Sequence, residues 1–139
     1  MKKIFLISII SLTVLTGCGK KEVVECTNTK SVFGVEMNTV LKAELQGNRF
    51  KKINMTIDAV LPESMQSKKD VYVQSFEKQY ASFEKNYGVK PVVSETEAGV
   101  KVDFEMTADQ AKKYSGSNND KATRKDVIEI FEKQGLTCK

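Results

Sequence analysis

The chain has 139 residues, with 22 Lys and Arg against 18 Asp and Glu, three cysteines, and neither histidine nor tryptophan. Without histidine, the commonest general base and the commonest metal ligand are both missing, and no GxSxG, P-loop, HExxH or dinucleotide fingerprint occurs. The formal charge of +4 comes with no basic stripe interleaved with aromatics, so the composition points away from a nucleic-acid partner.

Lys2 and Lys3 precede the apolar run "IFLISIISLTVL" at positions 4–15, and small residues then lead to Cys18. A basic start, an apolar stretch and a small-residue zone form a signal peptide. The run holds 12 residues, whereas a helix crossing a ~30 Å hydrocarbon layer needs about 20. The quartet Leu15, Thr16, Gly17 and Cys18 resembles the lipobox of bacterial lipoproteins. That resemblance implies a diacylglyceryl group on the Cys18 thiol, cleavage before it, and attachment to the extracytoplasmic face of the cell membrane. Each buried methylene contributes about 0.8 kcal/mol, so several acyl chains anchor durably where one is marginal. Lys20 and Lys21 either add attraction to anionic lipid, about 1 kcal/mol each, or open a solvated linker. The expected organisation is a signal peptide over 1–17, an anchor and linker over 18–22, and one domain over 23–139. Loss of 17 residues from 139 leaves 122, with 20 basic against 18 acidic groups, a size suited to a single core.

"EVVECTNTKSV" (22–32) is rich in Val and Thr and predicts a strand turned by Gly34. From Val35 to Leu45 the odd positions are apolar or Thr, and a second alternation runs through Ile53, Met55, Ile57, Ala59 and Leu61. Both apolar sets must face one way. A two-residue turn at Gly47 and Asn48 opposes odd positions to even ones, so a three-residue loop is expected, with a bulge at Gly47 or Asn48 and with Leu41 opposite Ile53. In that register Val40 and Phe50 fall on the polar face. They are the candidate binding residues there, against the plainer reading of scattered surface apolar groups.

Val73, Phe76, Tyr80, Phe83 and Tyr87 recur at 3 and 4 positions, an apolar stripe on a helix from Asp70 to Tyr87 that Gly88 ends. "KPVVSETEAGVKVDFEM" (90–106) splits at Ala98 and Gly99 into two strands, the second with Val100, Val102, Phe104 and Met106 on one side. Thr107 with Gln110 is a capping-box pattern opening a short helix through Tyr114, and "SGSNND" (115–120) is a polar loop. A last helix, from Thr123 or Arg124 to Gln134, is expected to turn Val127, Ile130 and Phe131 inward, to pair Glu129 with Lys133, and to stop at Gly135. The fold class is therefore α+β: a mostly antiparallel sheet of about five strands, packed against a long central helix and a C-terminal helix.

With Cys18 taken by lipid, Cys26 and Cys138 form an even pair in a compartment that permits disulfides. A bridge between them is expected, closing most of the chain, for which chain entropy gives roughly 4 to 5 kcal/mol; two buried free thiols, or a redox or metal pair, are the alternatives. Two cysteines without histidine make a poor metal site, and no cofactor is expected. Glu95, Glu97, Asp103 and Glu105 are the carboxylates available for acid/base work, but their alternation with apolar residues suits a solvated strand face. Asn118, Asn119 and Asp120 lack the spacing of a calcium loop.

The stretch "KNYGVKPVVSETEAGVKVDFEMTADQ" (85–110), with "VIEIFEKQGL" (127–136), resembles the small YehR-like lipoprotein family. Its members carry a lipobox, a strand hairpin, a long Lys- and Tyr-rich helix ending in Gly-Val, an acidic hairpin and a closing helix ending in Gly. Here those are Gly88 with Val89, and Gly135; Cys26 and Cys138 depart from the pattern. The resemblance implies helices against an antiparallel sheet and implies no activity or site residue. The expected function is a non-enzymatic surface lipoprotein whose domain binds an envelope protein or peptide. The alternative is a small-ligand or metal carrier with a pocket between helix and sheet, lined by Tyr80, Tyr87 and Phe104. A hydrolase using carboxylates alone is the third reading.

Overall fold

The computed structural model describes residues 19–115 and 121–139. The signal segment, Cys18, and the three residues Asn118, Asn119 and Asp120 lie outside the described residues.

Six strands, β1 (Lys21–Val32), β2 (Val35–Gln46), β3 (Arg49–Val60), β4 (Val92–Glu95), β5 (Gly99–Thr107) and β6 (Thr137–Cys138), form one sheet in the order β4-β5-β3-β2-β1-β6. Every neighbouring pair is antiparallel. Helices α1 (Lys69–Tyr87), α2 (Ala108–Ser115) and α3 (Arg124–Lys133) complete the expected α+β architecture. The sheet has one strand more than the roughly five read from the sequence, because the two residues of β6 are too few to show an alternation. The sheet begins at Lys21, so Lys21 and Glu22 of the expected linker are strand, and the Gly47 amide donates to the Lys20 carbonyl at 2.9 Å.

The parity expected for the β2–β3 hairpin holds, but its register differs. Gln46 pairs with Arg49 across a two-residue Gly47–Asn48 turn, and the pairing shifts between Glu44 and Leu45, so that Leu45 faces Phe50 and Ala43 faces Ile53. One extra residue, Lys51, is accommodated inside β3 rather than in the loop. A bulge of this kind restores odd-to-odd pairing beyond it, and it places Leu41 opposite Met55 instead of Ile53. It also moves Phe50 to the other face, where that ring packs against the core.

One face of the sheet carries the core. Val24, Cys26, Leu41, Ala43, Leu45, Ile53, Ile57, Ala59, Val100, Val102, Phe104 and Met106 are buried there beneath the helices. Phe76 is the buried member of the α1 stripe, with Val73, Tyr80, Phe83 and Tyr87 packed beside it. Gly88 ends α1 with φ of 68°, its amide bonded to the Glu84 carbonyl, the left-handed cap that glycine adopts most readily. A 3-10 turn over Glu63–Lys68 precedes α1. From it Gln66 donates to the carbonyls of Leu61 and Ala98, and Lys69 donates to those of Thr96 and Glu97. The start of α1 is thereby fastened to the β4–β5 turn.

Thr107 and Gln110 bond each other reciprocally at the start of α2, and Gln110 reaches on to the Gly88 carbonyl at 2.7 Å. Thr123 and Asp126 form the capping box of α3. Val127 and Phe131 are buried, but Ile130 is 52% exposed, contrary to expectation, and Ile128 packs inward instead. At 100° per residue Val127, Ile128 and Phe131 span one arc, while Ile130 lies off its edge. Glu129 and Lys133 pair at 2.8 Å as expected.

Candidate functional site

The β1–β2 turn is built from Phe33 and Gly34, whose φ values are 50° and 80°. Positive φ at both central residues is the pattern of a type I′ turn, which matches strand twist and favours Asn, Asp or Gly in those places. Phenylalanine is a poor choice there, since the left-handed region brings Cβ against the following carbonyl oxygen at a cost of about 1–2 kcal/mol. No burial offsets the strain: Phe33 is 96% exposed and its neighbour Val32 43%. The sequence signal was present in "VFG", yet the turn reads from Gly34 alone until the backbone of Phe33 is seen.

Antiparallel geometry fixes which way each β1 amide points. In a two-residue hairpin the flanking residues form a hydrogen-bonded pair, and Val32 pairs with Val35, so the even residues of β1 bond to β2 and the odd ones turn to the far edge. Glu25 confirms the phase, its carbonyl accepting from the Lys139 amide at 2.8 Å. Strand β6 covers this edge only at Cys26 and Thr27. The chain leaves the edge at Leu136, whose amide returns to the Phe131 carbonyl at 3.1 Å. Beyond that point the amides and carbonyls of Thr29 and Ser31 face outward, with no strand beside them among the described residues.

Beside the open edge, on the helix-bearing face, lies a groove of about 230 Å³ lined by Asn28, Lys30, Val32, Met37, Thr39, Gln134 and Leu136. Its floor is the distal end of β1 and β2, and one wall is the chain leaving α3. The lining is mixed: Val32, Met37 and Leu136 are apolar, and Lys30 is the charged member. Among the described residues Lys30 makes no ion pair.

The rings expected to line a ligand pocket pack on one another instead. Tyr80 meets Phe104 edge-on at 5.0 Å, Phe83 lies 5.4 Å from Phe104, and Tyr87 meets Tyr114 at 5.2 Å. Burial raises the Tyr80 pKa above its ordinary value, as it does for any phenol whose anion loses water.

Val40 and Phe50 do not form one surface. Val40 stands on the bare face of the sheet in a row of Thr137, Thr27, Val40, Thr56, Asp103 and Val92, whereas Phe50 is on the core side. The bare face is polar, with Lys42 and Glu25 at 3.8 Å and Lys21 and Lys52 each 4.0 Å from Glu44. Of the four carboxylates, Asp103 and Glu105 share this face while Glu95 opposes Val100 on the other side. Burial opposes ionisation of Asp103, but hydrogen bonds from Thr56, at 2.7 Å, and from Lys101, with the Lys101 charge, outweigh it and lower its pKa. A lowered pKa belongs to a carboxylate held as an anion, not to one poised to donate a proton. Among the described residues no three His, Cys, Asp or Glu groups stand close enough to hold a metal ion.

Cys26 and Cys138 are bonded at 2.04 Å, the bridge expected of that pair. The bridge joins β6 to β1 immediately before the open edge. Fold and site together define a small α+β domain: a helix-backed antiparallel sheet, closed at one edge by a disulfide and open beyond it. In comparisons with protein-family models, curated proteins and solved structures, nothing matches this chain.

Proposed function

We propose that the protein is a membrane-anchored surface lipoprotein, lipidated on Cys18, whose domain is a non-enzymatic binding module for an envelope protein or peptide. The lipobox resemblance supports the anchor, and the YehR-like pattern is consistent with it. The observation that carries the binding role is the position of Phe33. Twelve residues of β1, at about 3.3 Å each, separate the anchored end from the hairpin tip by roughly 40 Å. Because the sheet begins within a few residues of Cys18, the tip is held at the far end of a rigid element. A strained and almost fully exposed aromatic in that place is retained at the expense of stability, and aromatic side chains are favoured as anchors in protein interfaces.

Affinity capture from detergent-solubilised envelope extract with the tagged full chain tests this reading. Reproducible recovery of one envelope protein, lost with Phe33→Asn, is the expected result. Recovery of no protein, with a small molecule retained instead, overturns it in favour of the carrier.

A further inference from the structure

We infer that the distal edge of β1 is a strand-addition site for an extended peptide carrying an apolar residue two positions before an acidic one. The inference rests on the binding-module reading and names its ligand.

Three observations converge on Asn28–Phe33. Thr29 and Ser31 present two amides and two carbonyls outward past the end of β6, enough for two hydrogen-bonded residue pairs with an incoming strand. The groove lies against the same segment, so side chains of an added strand enter it at alternate positions. Lys30, placed between the two outward-facing residues, brings to the groove a positive charge that makes no ion pair among the described residues.

Register follows from the pattern. A peptide running antiparallel to β1, as every strand pair in the sheet runs, exchanges hydrogen bonds with Ser31 and then with Thr29. Its residue between those two sits opposite Lys30, where an acidic side chain completes a cross-strand ion pair. The residue two places earlier sits opposite Val32 and takes an apolar side chain over Val32, next to Phe33. One residue further along, the peptide meets Leu136, which ends the site. The recognised unit is therefore four residues: apolar, any, acidic, any. The disulfide contributes by holding β6 where it terminates this unit.

The test uses the full chain in detergent micelles, with the probe acetyl-Thr-Val-Thr-Glu-Thr-amide and a second peptide bearing Lys in place of Glu. Titration of the Glu peptide should shift the backbone amide resonances of Thr29 and Ser31 ahead of those elsewhere. Lys30→Glu should weaken the Glu peptide about fivefold and favour the Lys peptide by a similar factor, the size expected of one exposed cross-strand pair. Ser31→Pro removes an outward donor on an edge strand, where proline is tolerated, and should abolish binding while the circular dichroism spectrum stays unchanged. Shifts confined to other residues, or equal binding of both peptides to both Lys30 variants, overturn the site while leaving the binding-module reading in place. No binding by either peptide, with undiminished capture of an envelope protein by the Ser31→Pro chain, also overturns the site alone. Failure of peptide binding and of capture together removes the reading beneath it.

Discussion

Cys26 and Cys138 stand directly opposite each other in the β1–β6 pair, with their α-carbons 4.0 Å apart and 112 positions of chain between them. The bridge fastens a two-residue strand that is otherwise tied to β1 by the Thr27–Thr137 pairing and the Lys139 amide on the Glu25 carbonyl. Removing both sulfurs with Cys26→Ala and Cys138→Ala should lower unfolding free energy by up to roughly 4 to 5 kcal/mol, the chain-entropy value for so long a loop. Chemical denaturation of the parent with and without reductant should show the same loss. An unchanged midpoint would show that α3 and β6 dock without the bond.

Phe33 supplies a prediction of opposite sign. Asparagine tolerates the left-handed region better than phenylalanine, and a side chain that is 96% exposed gives up no packing. Phe33→Asn should therefore raise stability by about 0.5–1 kcal/mol while reducing partner capture. A variant both less stable and fully active in capture would contradict the role given to the tip.

Gly99 opens β5 where that strand crosses the end of β3. A β-carbon added there would collide with the backbone carbonyl of Ala59, which cannot move without shifting the Val60–Gly99 pairing. Gly99→Ala should destabilise the domain by about 1–3 kcal/mol, read as a lower thermal midpoint. Gly34→Ala makes a useful contrast, since the space around that residue is open and only its positive φ resists the change.

The pH response of α3 follows from its cap. Hydrogen bonds from the Thr123 backbone and hydroxyl hold the Asp126 carboxyl below its ordinary value of 3.8, with Lys125 assisting. A folded-state pKa below the unfolded one adds stability that is fully present above the unfolded value and is lost as pH falls through the folded one. Carbon-detected NMR titration should place the Asp126 midpoint below the ordinary value of 3.8. Thr123→Ala should return it toward the ordinary value and fray the first turn of α3.

Lipidation is checked by metabolic labelling with an alkynyl palmitate analogue. Label should enter the parent chain and be absent from Cys18→Ala, which should also leave the membrane fraction. Equal labelling of both chains, or none of the parent, would refute the anchor.

Much of this protein is written locally. Period-two alternation marked β2, β3 and β5, the 3-and-4 spacing of Val73, Phe76, Tyr80, Phe83 and Tyr87 marked α1, and the caps at Gly88 and Thr107 set helix ends, because each depends on neighbours a few positions away. Parity alone required both faces of the β2–β3 hairpin to agree. Only the folded sheet decided how: a bulge at Lys51 in place of a longer loop, which carried Phe50 from the polar face to the core and shifted the register by two. The candidate site is less legible still. Thr29, Lys30 and Ser31 are unremarkable in the sequence, and they become a site because β6 covers the edge only from Thr137 onward, more than a hundred residues later in the chain. An open edge is defined by where another strand stops, and that is settled by long-range pairing and by the closure of Cys26 on Cys138, not by the residues along the edge.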